Sequence, residues 1–224
     1  MAALKATAWL HPPGIRWVRR LPAREKVLYL TFDDGPIPEL TPWVLDTLRD
    51  LGVQATFFCI GRHIAQHPEI YTRIRAEGHG VGNHTETHVN GWHTSCSEYV
   101  RDTLQCQART GNRLFRPPYG RITLPQAWAL RQHFELVFWD VLTGDFDSRL
   151  SPEHVLQDTI RRARSGSILV FHDNLLSEER MRYAFPRTVK HFLKQGYRFP
   201  PLPGSTTGMP ASRQAPMPPS SSHS

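Results

Sequence analysis

The sequence predicts an α/β fold with a mainly parallel sheet covered by helices, and three observations predict it. Short apolar runs rich in β-branched and aromatic residues alternate with segments of helical period between residues 26 and 199. Gly, Pro and capping residues punctuate the boundaries. Polar residues cluster after four of the apolar runs, at the strand ends where parallel α/β folds build their sites. The alternation is compatible with an open, doubly wound sheet or with a sheet closed into a barrel.

The first strand is "KVLYLTF" (26–32), which runs into the adjacent carboxylates of Asp33 and Asp34. Neighbours on a regular strand point to opposite faces, so the two aspartates need different partners. "LTPWVLDTLRDLG" follows as a helix, with Thr41 as N-cap, Pro42 at the first helical position and Gly52 as the stop. "ATFFCIG" (55–61) is the second strand, 68–77 a helix ending at Gly78, and "GHGVGNH" leads into a short third strand. "SCSEYVRDTLQCQARTG" opens on a Ser95…Glu98 capping box and is helical to Gly111. A strand tip then meets the proline-stiffened loop "RPPYG", and "LPQAWALRQHF" is helical. "LVFWDVL" (136–142) is a buried strand, "SPEHVLQDTIRRARSG" a helix with a Ser-Pro start and a Gly stop, and "SILVFHD" (167–173) another strand. "EERMRYAFPRTVKHFLKQG" is the last helix, interrupted near Pro186, and "YRF" a closing strand.

With 224 residues, 39% apolar and 21% charged, the composition fits one globular domain over 1–199, its core at about 25–199. From Pro200 the Pro-, Ser-, Gly- and Met-rich stretch 200–224 predicts a flexible tail. No apolar run reaches the ~18–20 residues of a membrane span. The opening "MAALKATAWLHPPGIRW" lacks a continuous apolar region and a small-residue cleavage site, so a secretory signal is not expected. The default location is then the cytoplasm, with association with the cell envelope as the alternative. Cys59, Cys96 and Cys106 lack CxxC spacing, which argues against a disulfide framework or a Cys-type zinc site, and Cys59 reads as a buried thiol. The net charge of +7 is spread along the chain. It favours weak attraction to anionic polymers, while no basic block or nucleic-acid fold signature points to a specific nucleic-acid partner.

His84 and His88 form an H-x-x-x-H segment. On a helical turn, residues i and i+4 share a face, so two imidazoles can meet one cation, and one of the paired aspartates is the natural third ligand. Three protein ligands leave a position open for water, the layout of a catalytic metal site. Glu86 lies between the histidines but does not follow the first directly, unlike H-E-x-x-H. Each feature has a plain alternative: a solvated acidic turn at Asp33-Asp34, a surface cation at Arg116, a hydrogen-bonded core imidazole at His172. Their arrival at one rim favours a site.

"TFDDGP", "HTETH", "RPPYG" and "LVFHD" stand in an order and approximate spacing that resembles the polysaccharide deacetylases of the NodB-homology type (carbohydrate esterase family 4), over roughly residues 25–199. The resemblance implies a distorted, incomplete (β/α) barrel, TIM-like with seven or eight parallel strands. It also implies a divalent metal, usually zinc with cobalt or nickel as alternatives, and hydrolytic removal of acetyl groups from N-acetylated sugars. Asp34 resembles the carboxylate ligand, and His84 and His88 the imidazole ligands. Asp33 resembles the base that takes a proton from the attacking water, with Arg116 pairing with and orienting it. His172 resembles the general acid for the leaving amine, and Asp145 the carboxylate that orients it. Pro117-Pro118-Tyr119 would shape the groove, with the Tyr119 backbone N–H helping to hold the oxyanion. The implied partner is an N-acetylated polysaccharide or oligosaccharide such as peptidoglycan or a chitin-like glycan. Hydrolysis of another acyl group, such as an O-acetyl ester on xylan or a formamide, and glycan binding without turnover are the competing readings.

Two positions depart from the family pattern. Asp145 is followed by Phe146 where Trp is usual, which keeps an aromatic plane beside the acetyl pocket. Val170 stands where Leu is usual, a small swap expected to widen the methyl pocket slightly. Trp92 is a candidate for stacking on a sugar face, whereas Trp139 reads as core.

Overall fold

The computed structural model describes residues 14–22 and 24–206. These form one eight-stranded sheet in the order β1-β6-β5-β4-β3-β2-β8-β7, every pairing parallel. The strands are β1 Trp17–Val18, β2 Tyr29–Asp33, β3 Thr56–Cys59, β4 Gly80–Asn83, β5 Leu114–Phe115, β6 Glu135–Val137, β7 Val141–Leu142 and β8 Ile168–His172. The helices are α1 Thr41–Leu51, α2 Gly61–Gln66, α3 Pro68–Ala76, α4 Cys96–Thr110, α5 Leu124–Leu130, α6 Pro152–Arg162 and α7 Glu178–Lys194. The sheet curls into an incomplete (β/α) barrel. Near the gap, Arg20 forms an isolated antiparallel bridge with Ser167, and Leu21 N–H donates to Gly166 O at 3.0 Å.

The two faces of each strand separate the core from the site. Leu30, Phe32, Phe57, Leu169 and Phe171 pack in the cluster shared with α1, α6 and α7. Phe32 anchors it, with ring centroids 5.2 Å from Phe57 and 5.1 Å from Phe185 of α7. Burying each such ring contributes about 1.5–3 kcal/mol. The alternate positions, Thr31, Asp33, Phe58, Val170 and His172, share the inner face, on which Phe58 packs with Leu114, Val137, Ile168 and Leu202. Val170, two residues below His172, is fully buried.

Several local expectations are corrected. Residues 136–142 are not one strand: β6 ends at Val137 and β7 begins at Val141, at separate places in the sheet. Phe138 N–H still donates to Val18 O of β1 at 2.7 Å, and side chains hold the rest of the crossing. Arg116 donates to the carbonyls of Val137 and Phe138, and the Asp140 carboxylate accepts from Ile168 N–H and Ser167 Oγ at 2.9 and 2.8 Å. Trp139 on this crossing is half-buried rather than core. α7 runs unbroken through Pro186. An interior proline costs about 3 kcal/mol, which burial of Met181, Phe185, Val189 and Phe192 on one face offsets.

Leu40, not Thr41, is the N-cap of α1, because the Thr41 hydroxyl accepts from Ile37 N–H and donates to Asp173 Oδ2. "YRF" supplies only a single parallel bridge, Arg198 with Val27. β1 and α2 were not anticipated. Leu202 and Ser205, assigned to the tail by composition, are buried at 3% and 0% exposure. Residues 1–13, which carry most of the signal-like stretch, and 207–224 of the tail lie outside the described residues. Among the described residues the thiols are free, with Cys59 and Cys106 buried and Cys96 exposed. No helix among them is long and apolar enough to cross a membrane.

Candidate active site

β2 delivers Asp33 to the inner face at its C-terminal end, in register with Phe58 of β3 and His172 of β8. Arg116, directly after β5, reaches across the barrel and is fully buried. Its Nη1 donates to Asp33 Oδ1 at 2.6 Å and to Thr31 Oγ1 at 2.8 Å. The guanidinium lies 4.1 Å from the centroid of the Phe58 ring. Gly82 of β4 leaves room for that ring, since a Cβ there would lie 2.5 Å from it. Burial lowers the Arg116 pKa and the Asp33 carboxylate opposes that shift.

Asp34 leaves the strand with φ 90°, a left-handed conformation that turns its carboxylate away from that of Asp33. His84 follows β4, but the segment to His88 is an irregular loop rather than the expected helical turn, with Thr85 at φ 65° and His88 at φ 59°. The loop still converges the two imidazoles on Asp34. Asp34 Oδ1 is 3.2 Å from His88 Nε2 and 3.6 Å from His84 Nε2, and one ligand atom from each residue lies within 4.8 Å of the others. His84 Nδ1 lies 2.7 Å from Arg116 O, which can only accept, so Nδ1 carries the proton and Nε2 presents its lone pair. Burial depresses the His84 pKa to about 4, keeping the ring neutral at pH 7. Burial alone would raise the Asp34 carboxyl, but the facing imidazoles of His88, His172 and His84 hold it well below the usual range.

Asp34 Oδ1 is buried and has no hydrogen-bond donor. An acceptor left this way costs about 1–3 kcal/mol unless something else satisfies it. Together with two imidazole nitrogens it fits a divalent cation. Glu86 takes no part: it is buried against Arg109 at 3.0 Å. Non-glycine residues in the left-handed region cost about 1–3 kcal/mol each and cluster at functional sites. Asp34, Thr85, His88 and Tyr119 all belong to this rim.

On the other side, both oxygens of the buried Asp145 carboxylate serve His172, one accepting from its backbone N–H and the other facing Nδ1, each at 2.8 Å. Burial works to lower the His172 pKa, but Asp145, followed by Asp34 and Asp33, outweighs it and raises the value to about 9. Phe146 meets the imidazole edge-on at 5.3 Å, retaining the aromatic plane. Tyr119 lies in the loop after β5, its ring 4.7 Å from that of His88 and 59% exposed. The turn bonds of this loop come from the Gly120 and Arg121 amides, to Pro117 O and Pro118 O. Asp33, Asp34, His84, His88, Arg116, Tyr119, Asp145 and His172 thus lie together at one rim.

The chain matches the family model of polysaccharide deacetylases over residues 20–134. It belongs to that family. A peptidoglycan-N-acetylglucosamine deacetylase of Bacillus cereus is 32% identical over 198 residues, 85% of this chain and 92% of its own. A chitooligosaccharide deacetylase of a Bradyrhizobium species is 31% identical, over 79% and 89% of the two chains. The crystal structure of a peptidoglycan N-acetylglucosamine deacetylase in complex with 4-naphthalen-1-yl-N-oxidanyl-benzamide aligns with a TM-score of 0.79 at 31% identity, covering 84% of this chain and 92% of that one.

Within this polysaccharide deacetylase the site draws on residues that sequence reasoning missed. Asn174 Nδ2 donates to Asp34 Oδ2 at 2.6 Å, and His63 Nδ1 lies 2.8 Å from Asp34 O. Asp102 of α4 accepts from Glu86 N–H, Thr87 N–H and Thr87 Oγ1, tying down the loop between the histidines. Asp173 receives Gly35 N–H and the Thr41 hydroxyl. Asn174 directly follows the His172-Asp173 pair, which was a usable signal; Asp102 lies on a helix face with none.

Proposed function

We propose that the chain is a metal-dependent hydrolase that removes N-acetyl groups from N-acetylglucosamine-containing glycans, such as peptidoglycan or chitin-like oligomers. One observation carries the reading. The Asp34–His84–His88 cluster, with its buried donorless oxygen, is flanked by a carboxylate held on a buried arginine and by an imidazole held on a buried carboxylate. The names of the relatives support the substrate class.

Asp34 through Oδ1, with His84 and His88 through Nε2, would hold the cation, and two imidazoles with one carboxylate suit zinc, cobalt or nickel. Such an ion, when bound, polarises the acyl carbonyl and lowers the pKa of water from 15.7 to about 7. Asp33 accepts the proton of the attacking water, with Arg116 directing its carboxylate. The Tyr119 N–H donates to the carbonyl oxygen as it becomes an oxyanion. His172 gives the Nε2 proton to the departing nitrogen, because Nδ1 is engaged by Asp145. Breakage of the C–N bond yields acetate and a free amino sugar.

Zinc-loaded protein is expected to release acetate from N-acetylglucosamine oligomers or from peptidoglycan. No acetate from any N-acetylhexosamine oligomer would overturn the reading, and glycan binding without turnover would replace it. Formate or an O-acetyl product in a parallel substrate panel would reassign the acyl group. His84→Ala is expected to lose most of the bound metal, and equal metal content in the variant and the parent would remove the basis of the mechanism.

A further inference from the structure

Beside the metal cluster the rim carries a cation held by rings rather than by a carboxylate. Arg16, Arg73, Arg109 and Arg182 each pair with an Asp or Glu. The Arg121 guanidinium instead lies 4.9 Å from the centroid of Trp92 and 5.8 Å from that of Tyr119. A guanidinium attracted to ring faces still has a fork of N–H donors to offer, and that fork matches a carboxylate. Trp92 is 59% exposed, so its ring offers a broad apolar face. Tyr119 connects the pair directly to His88.

The arrangement is built rather than incidental. Trp92 lies on the loop after β4, whereas Tyr119 and Arg121 lie on the loop after β5. Gln126, 1% exposed, staples the two: Nε2 donates to Gly91 O at 2.8 Å and Thr94 O at 3.0 Å, while Oε1 accepts from Thr123 N–H at 2.9 Å. The loops touch so closely that a Cβ on Gly91 would lie 2.4 Å from Arg121 O. Asn90 Oδ1 accepts from Trp92 N–H at 3.0 Å, setting the turn that presents the indole. A surface fixed before the ligand arrives loses less entropy on binding. On the opposite side of the rim Phe146, Leu175 and Leu176 are exposed, and the neighbouring cation, Arg149, is already paired with Asp147 at 2.7 Å.

We propose that Trp92, Arg121 and Tyr119 form a subsite for the sugar adjoining the one being deacetylated, with Arg121 recognising a carboxylate on that neighbour. The preferred substrate is then an acidic N-acetylated glycan rather than a neutral one. This rests on the deacetylase reading above and names its substrate class.

The test compares kcat/KM on peptide-free peptidoglycan strands, whose lactyl carboxylates are free, with chitooligosaccharides of equal length. The parent is expected to prefer the acidic strands about tenfold, and the preference should shrink as salt screens the charge. Arg121→Gln should remove most of that preference, acting through KM, with a melting temperature close to that of the parent. Trp92→Ala should weaken both substrates, since a ring stacks on either sugar, and the acidic one more, since the indole also holds Arg121. A parent that deacetylates both glycans equally, or an Arg121→Gln variant that keeps the preference or loses both activities in proportion, overturns the subsite while leaving the deacetylase reading intact. A parent that releases acetate from neither overturns both.

Discussion

Asp33 and Asp34 are chemically identical neighbours that backbone geometry separates. Asp33 keeps the strand and meets Arg116 at 2.6 Å; Asp34 turns left-handed and meets His84 and His88. Breaking a buried ion pair by removing one partner typically costs about 3–5 kcal/mol. Arg116→Met is therefore expected to lower stability by about that amount, read from the urea midpoint, and to lower kcat by roughly 10²-fold or more as the base loses its orientation. A variant as stable and active as the parent would show that Asp33 needs no cation. His172 makes a second prediction at this scale. Its folded value of about 9 lies above the ordinary 6.5, so the acid stays protonated through neutral pH and kcat/KM should fall as pH rises past about 9. Asp145→Asn should move that alkaline limb towards 6.5. The same sign governs stability: the contribution of His172 is complete below 6.5 and is lost as pH climbs from there through 9. The decline of the urea midpoint over this range should be shallower in His172→Gln.

At the scale of elements, the histidine loop is held from outside itself. Asp102 of α4 takes two backbone N–H groups and one hydroxyl of that loop, and Asn83 Oδ1 accepts from Thr85 N–H at 2.8 Å. Asp102→Ala should weaken zinc binding about 10–100-fold, the usual effect of losing an outer-shell support. Chelator competition would measure this, and unchanged affinity would show that the loop holds its own shape. Much of the element order was legible. The Ser95–Glu98 cap is present, and Gly52 and Gly111 end their helices left-handed. The misreadings share a cause. The apolar run 136–142 looked continuous because hydrophobicity does not record Arg116 donating to the Val137 and Phe138 carbonyls, or Asp140 accepting from Ile168 N–H of β8. Pro186 looked like a break because local propensity does not record the packed face of α7. The histidine spacing suggested a helical turn, yet positive φ angles in an irregular loop produced the same convergence.

For the whole molecule, the barrel interior runs from a dry floor to a polar rim. Leu202 lies in the floor cluster with Phe58 and Ile168, and its N–H donates to Thr56 Oγ1 at 2.8 Å. Leu202→Ala should destabilise the chain by about 2–5 kcal/mol, measured by urea unfolding; a change near zero would mean that the floor closes without it. Composition placed this residue in a tail because Pro and Ser dominate around it, and only the fold shows it packed against Phe58, Leu114, Val137 and Ile168. The same division runs through the site. The amino-acid sequence by itself determined the chemical inventory and its location: two carboxylates, two imidazoles, an arginine and a His with its Asp, all at strand ends of an α/β fold. Strand ends are set by local patterning, and the reaction needs those functional groups. Tertiary structure alone decided which partner each group took. The parallel register puts Asp33 beside His172, and the left-handed turn at Asp34 separates two like carboxylates. Gln126 locks Trp92 against Arg121 across two loops. Those distances depend on packing between segments remote in the chain, which no local pattern encodes.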